Sequence, residues 1–202
     1  MAKLKIFTFP DLVLAKKALP VARVEKTHHK LADDMLETMY DAPGIGLAAN
    51  QVGVLERLLV IDTDYELDDE EEAGAVGEVA GGIVRNRKPR IILNPEIVFK
   101  EGSIVFSEGC LSVPEYTAEV KRAEKIKVQY QDVDGLTKTL SADGLLAVAI
   151  QHEMDHLDGK LFIDRLSPLK KEMARKQLRA ERADRESELG PPSPSRKKVK
   201  GF

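Results

Sequence analysis

The chain has 202 residues, 43% apolar and 32% charged, the size and composition of one globular domain with a sizeable core. Aromatic residues are 5%, tryptophan is absent, and 31 Lys+Arg against 34 Asp+Glu leave a net charge of -3, which argues against a dedicated single-strand nucleic-acid binder. The lone cysteine, Cys110, rules out an internal disulfide, and with no signal-peptide pattern and no run of about 18 apolar residues the expectation is a soluble, cytoplasmic protein.

In chain order, residues 25–40 place Leu31, Met35, Leu36 and Met39 at helical spacing opposite Asp33, Asp34 and Glu37, which reads as an amphipathic helix. His28 and His29 on that helix are adjacent, cannot both face one metal, and read as surface residues. The helix ends at Asp41-Ala-Pro-Gly, and the small-residue segment Gly44-Ile-Gly-Leu-Ala-Ala-Asn-Gln51 follows. Leu58 to Ile61 reads as a short strand. Residues 64–72 hold seven carboxylates in nine positions, and glycines follow them, so residues 64–88 read as a flexible, solvated insertion without a core-forming pattern. Short strands are expected at 91–93, 97–99 and 104–106. Ile126, Val128 and Tyr130 alternate with polar residues, and Asp134-Gly135 turns the chain back through 137–140 as a hairpin.

After Asp143-Gly144, the segment LLAVAIQHEMDHL reads as a buried helix that stops at Gly159. Residues 168–188 suggest a second, exposed, basic helix, and 190–202 a disordered end; residues 165–202 carry a net charge of +7. The expected fold class is α+β: short, mostly antiparallel strands around a buried central helix carrying HExxH, plus a C-terminal helix. The expected boundaries are a catalytic unit at 1–168, a basic helix at 169–189 and a tail at 190–202.

The sharpest local signal is His152-Glu153-Met154-Asp155-His156. Residues four apart share one helical face, so both imidazoles can reach one metal ion, with Glu153 beside it. Charged groups ending a buried helix need such a use, because an unpaired buried polar group costs about 2–7 kcal/mol. Two histidines leave room for a third protein ligand and an open position, the catalytic rather than the structural arrangement. Phe162 stands where a metzincin would have its third histidine. Glu172 on the following helix would give a thermolysin-like site, and Cys110 would give a thiolate-ligated one. A structural zinc module closed by a fourth ligand is the non-enzymatic alternative.

GIGLAANQ at 44–51, EGCLS at 108–112 and QHEMDHLDG at 151–159 together resemble, in the same order, the three signature motifs of bacterial peptide deformylases. The likeness extends over about residues 4–170. It implies hydrolysis of the formyl group from the N-terminal formylmethionine of nascent polypeptides, releasing formate. It implies that Cys110, His152 and His156 hold the metal, Fe²⁺ by expectation, with Zn²⁺, Ni²⁺ or Co²⁺ able to replace it. Glu153 would be the general acid/base acting on a metal-bound water. Gln51 and the backbone N–H of Leu111 would face the developing oxyanion, with Gly46 counted in the same catalytic group. The chain departs from the family pattern at Thr117, where many bacterial relatives carry arginine.

The chemistry suits these assignments. A bound cation lowers the pKa of water from 15.7 to about 7, and one oxyanion donor is typically worth about 2.7–4 kcal/mol in the transition state. Leu145, Val148 and Ala149 precede His152 by seven, four and three residues and share its face. With Phe106 and Ile45 they are expected to wall an apolar pocket for a methionine side chain. The peptide backbone would lie extended along Ile45, Gly46 and Gly109 as an added strand. The expected partners are an N-formylmethionyl peptide and, through the basic C-terminal segment, the ribosome by attraction to RNA phosphates; no membrane partner is expected.

Overall fold

A computed structural model describes residues 2–68, 78–79 and 82–188. It has the expected α+β class, with antiparallel sheets and three α-helices among the described residues. The main sheet has five strands, β1 (Gly46–Ala48), β2 (Leu58–Ile61), β6 (Arg90–Glu101), β9 (Lys125–Gln131) and β10 (Thr137–Asp143), in the order β1-β2-β6-β9-β10. The alternation at 126–130 and the Asp134-Gly135 turn produce the β9–β10 hairpin.

The run Leu58-Leu59-Val60-Ile61 explains how the layers form. All four side chains are buried, and because successive residues of a strand point to opposite faces, the run requires cover on both sides. Leu58 and Val60 join Met35, Leu36 and Met39 of helix α1 (Lys26–Asp41). Leu59 and Ile61 join Ile92, Ile126, Val128, Ala147 and Ile150, where the last two belong to helix α2 (Gly144–Leu157). The central sheet is thus sandwiched between α1 and α2.

Beside it lies a two-stranded hairpin of β7 (Ile104–Cys110) and β8 (Val113–Arg122), whose register slips between Glu108 and Cys110. A third apolar cluster joins Val113 and Val120 of this hairpin to Leu161, Phe162 and Ile163. It also takes in Ala174 and Leu178 of helix α3 (Pro168–Glu188).

The structure corrects several sequence-based expectations. Residues 91–93 and 97–99 are parts of one bent strand, β6, which carries its register shifts around Asn94-Pro95 and between Ile97 and Phe99. Asn94 takes a positive φ of 50°. Its side chain accepts from Val21 N (2.8 Å) and donates to Gln131 Oε1 (2.7 Å), which secures the bend. The insertion carries β3 (Glu66–Asp68), β4 (Glu78–Val79) and β5 (Gly82–Arg85), paired as a small antiparallel sheet. Residues 69–77 and 80–81 of that insertion, and the tail at 190–202, lie outside the described residues.

Helix α3 is exposed on one side only, since Ala174 and Leu178 are buried. His29 is exposed, but His28 is buried. It turns back so that its Nδ1 accepts from Glu25 N (2.9 Å), while its Nε2 lies 3.4 Å from Glu56. Asp34 is likewise buried, accepting from Ala2 N at 2.8 Å and from Lys30. Among the described residues no helix is long and apolar enough to cross a membrane.

Candidate metal centre

Helix α2 is apolar on nearly all sides up to Ile150, so packing holds its position and its C-terminal half carries polar side chains into the interior. His152, Glu153, Asp155 and His156 are all buried. Asn50, fully buried, donates to the His156 carbonyl and holds the last turn. Gly159, at φ 70°, ends the helix against Ala15, whose carbonyl oxygen would lie 2.7 Å from a Cβ there.

The register slip at the end of β7 presents Cys110 to this helix face. One ligand atom from each of Cys110, His152 and His156 lies within 4.8 Å of the others, and Sγ is 3.1 Å from His156 Nε2. Glu172 is exposed on α3 and stands outside this group, as does Phe162, whose ring stacks on His152 at 5.9 Å. The geometry therefore favours the thiolate alternative over the thermolysin-like one.

The donor set suits a divalent transition metal, since thiolate and imidazole both bind such ions well. The electrostatics agree. Burial pushes His156 well below the usual imidazole range, helped by His152 and Arg122, which keeps it neutral as a ligand must be. Burial would also depress His152, but Cys110 and Glu108 override it and hold the ring well above its ordinary value. A field that favours a proton at this point favours a cation there too. Glu153 Oε2 is buried with no hydrogen-bond partner among the described residues, an orphan that a ligand at the centre would satisfy. Burial pushes the Glu153 carboxyl up to about 7, a value suited to exchanging protons near neutrality.

Gln51 comes from a short 3₁₀ turn after β1. Its Oε1 accepts from Ala48 N (2.7 Å), which turns Nε2 toward Ser112 Oγ (3.0 Å) and Cys110 Sγ (3.7 Å). The N-terminal segment links both loops, with Phe7 N donating to Gln51 O (2.7 Å) and Phe9 N to Ser112 O (2.8 Å). A cavity of about 510 Å³ opens beside the centre. Its walls include Ile45, Gly46, Gln51, Phe106, Gly109, Cys110, Leu111, Leu145, Val148, Ala149, His152 and Glu153, so of the residues that the family resemblance and the pocket reading assign to the site, all but His156 line it. Gly46 is pressed against Glu153, whose Oε1 would lie 2.5 Å from a Cβ at that position.

Sequence reasoning missed a buried charge network behind the ligands. Glu108 Oε2 contacts His152 Nδ1 (2.8 Å), and Arg122 donates to both Glu108 oxygens (2.6 and 2.8 Å) and to Asp155. Arg165 closes the far side of Asp155. The network ties β7, β8 and α2 together and fixes the His152 ring, as a carboxylate behind a ligating histidine commonly does. A clue was present: Glu108 is two residues before Cys110, the spacing that in a regular strand puts both on one face.

A family model described as polypeptide deformylase matches residues 3–172. The chain is 51% identical over 181 residues to peptide deformylase 2 of Xanthomonas campestris pv. campestris, covering 88% of this chain and 95% of that one. Among solved structures, it is similar to a peptide deformylase from Legionella pneumophila (TM-score 0.76, 42% identity, 94% of this chain and 100% of that chain). It is also similar to one from Ehrlichia chaffeensis in complex with actinonin (TM-score 0.75, 38% identity, 90% and 98%).

Proposed function

This chain belongs to the polypeptide deformylase family, and from that premise we propose how its residues divide the work. The activity is metal-dependent hydrolysis that removes the formyl group from N-terminal formylmethionine. Cys110, His152 and His156 are the ligands in our reading, and Fe²⁺ is the native ion, replaceable by Zn²⁺, Ni²⁺ or Co²⁺. The observation that carries this is the convergence of one thiol and two imidazoles beside an orphaned, buried carboxylate oxygen. Bound there, the cation supplies Lewis acidity toward the formyl carbonyl and makes water nucleophilic near neutral pH.

The protein residues do the rest. Glu153 takes a proton from the attacking water at its carboxylate and returns it to the leaving amine, which its raised affinity for protons supports. Gln51 Nε2 and the backbone N–H of Leu111 donate to the carbonyl oxygen as charge develops on it. The close contact of Gly46 keeps the Glu153 carboxylate in one position. Leu145, Val148, Ala149, Phe106 and Ile45 accept the methionine side chain and exclude water, while the peptide backbone pairs along Ile45, Gly46 and Gly109.

Substrates that are nascent chains imply a cytoplasmic location. The cationic face of α3, with Lys171, Arg175, Lys176 and Arg179 around one groove, supports a ribosome contact through RNA phosphates. The test of the activity is formate release from formyl-Met-Ala-Ser, with anaerobic metal analysis of the same sample because a thiolate ligand is open to oxidation. Turnover by protein holding one transition-metal ion per chain is expected. Metal-loaded protein that releases no formate would refute the reading.

A further inference from the structure

The acidic insertion leaves the main sheet after β2 and returns before β6, and one carboxylate clasps both of its feet. Asp62 is fully buried; its Oδ1 accepts from Asp64 N (3.0 Å) and its Oδ2 accepts from Lys88 N (2.7 Å) and the Tyr40 hydroxyl (2.7 Å). The Tyr40 ring meets the half-buried Tyr65 ring edge-on, centroids 5.2 Å apart at 86°, with the Arg87 guanidinium 4.3 Å over Tyr40. The Tyr65 hydroxyl then reaches out of this cluster and donates to the Gly44 carbonyl (3.1 Å).

That carbonyl belongs to the segment that forms the cavity rim. Gly44 N donates to Met39 O (2.9 Å), and a Cβ on Gly44 would sit 2.7 Å from Leu111 Cδ1. The next residue, Ile45, gives its carbonyl to Asp62 N (2.9 Å) and lines the cavity, and Gly46 after it touches Glu153. Gly44 is therefore threaded between Leu111 on one side and the Tyr65 hydroxyl on the other.

We propose that Tyr65 is a positioning residue: its hydroxyl holds Gly44 and Ile45 in the conformation that receives the substrate backbone, and so couples the foot of the insertion to peptide affinity. This rests on the reading that the peptide lies along Ile45 and Gly46. Its signature falls on binding, since Tyr65 touches neither Glu153 nor the three ligands, and Gly46, which abuts Glu153, is held separately by its pairing with Ile61 in the sheet.

The experiment compares the parent with Tyr65→Phe, which removes the hydroxyl and keeps the ring, in steady-state formate release from formyl-Met-Ala-Ser. Loss of one hydrogen bond's positioning is expected to raise KM about three- to tenfold, with kcat within about twofold and metal content and Tm unchanged. Tyr65→Leu, which also loses the ring edge on Tyr40, is expected to show at least the same KM increase with a lower Tm. An unchanged KM in Tyr65→Phe overturns the proposal, as does a fall in kcat at constant KM. A KM increase in Tyr65→Leu alone also overturns it, because packing rather than the hydroxyl would then be responsible. Formate release by the parent tests the site reading by itself, whereas the KM ratio between parent and variant tests the role of Tyr65.

Discussion

Replacing Gly46 by alanine asks whether the position of Glu153 sets the rate. The added Cβ would lie 2.5 Å from Glu153 Oε1 and 2.9 Å from both Cδ and Cγ. Carbon atoms in contact prefer about 3.5–4.0 Å, so the carboxylate or the strand must retreat by about 0.6 Å or more. The clash reaches Cγ as well as the tip, so rotating the carboxylate does not relieve it. β1 cannot easily yield, because it is buried and paired with β2 across Gly46–Ile61, Leu47–Val60 and Ala48–Leu59. Glu153 would therefore give way. Misplacing a reacting group by about 1 Å costs on the order of 100-fold, and overpacking of this kind destabilises by about 1–3 kcal/mol. The expected result is a kcat for formate release about 100-fold lower, with one metal per chain retained and a modest fall in Tm. A Gly46→Ala protein that keeps kcat within about threefold of the parent would refute the reasoning.

Three further positions test the surroundings of the site and the docking of α3. Glu108→Gln weakens the hold on the His152 ring and is expected to lower metal affinity about 10- to 100-fold in competition with a chelator; unchanged affinity would show that the buried network serves packing alone. Leu178→Ala removes a side chain that is 2% exposed in the apolar cluster that also holds Val120 and Phe162. It is expected to cost about 2–5 kcal/mol in denaturant unfolding with kcat of the folded protein preserved, and an unchanged midpoint would mean that α3 is not docked. Glu153→Ala is expected to reduce kcat by about 10²- to 10⁴-fold, and near-parental turnover would remove its role in proton transfer.

The parts of the fold and site legible in the sequence are those that local pattern determines. The apolar stretch before His152, the four-residue spacing to His156 and the terminating Gly159 define α2 and its polar end, and Leu145, Val148 and Ala149 follow from the same helical period. The strand alternation at 126–130 is equally local. What escaped depends on partners distant in the chain. Arg122 meets Glu108 and Asp155 only because β8 folds back on β7 and α2 crosses behind them, and nothing near Arg122 in sequence signals burial. His28 is buried by its own helix start and by Glu56. Pro95 suggests a break, yet a bulge held by the Asn94 side chain lets β6 continue through it. Tyr65 sits amid carboxylates that mark solvent, and only its approach to Gly44 in space gives it a task.

The most direct test of the metal centre is the number of metal ions per chain in anaerobically prepared parent, Cys110→Ala and Glu153→Ala proteins. One ion in the parent, none in Cys110→Ala and one in Glu153→Ala is the predicted result. A full complement of metal in Cys110→Ala would contradict it.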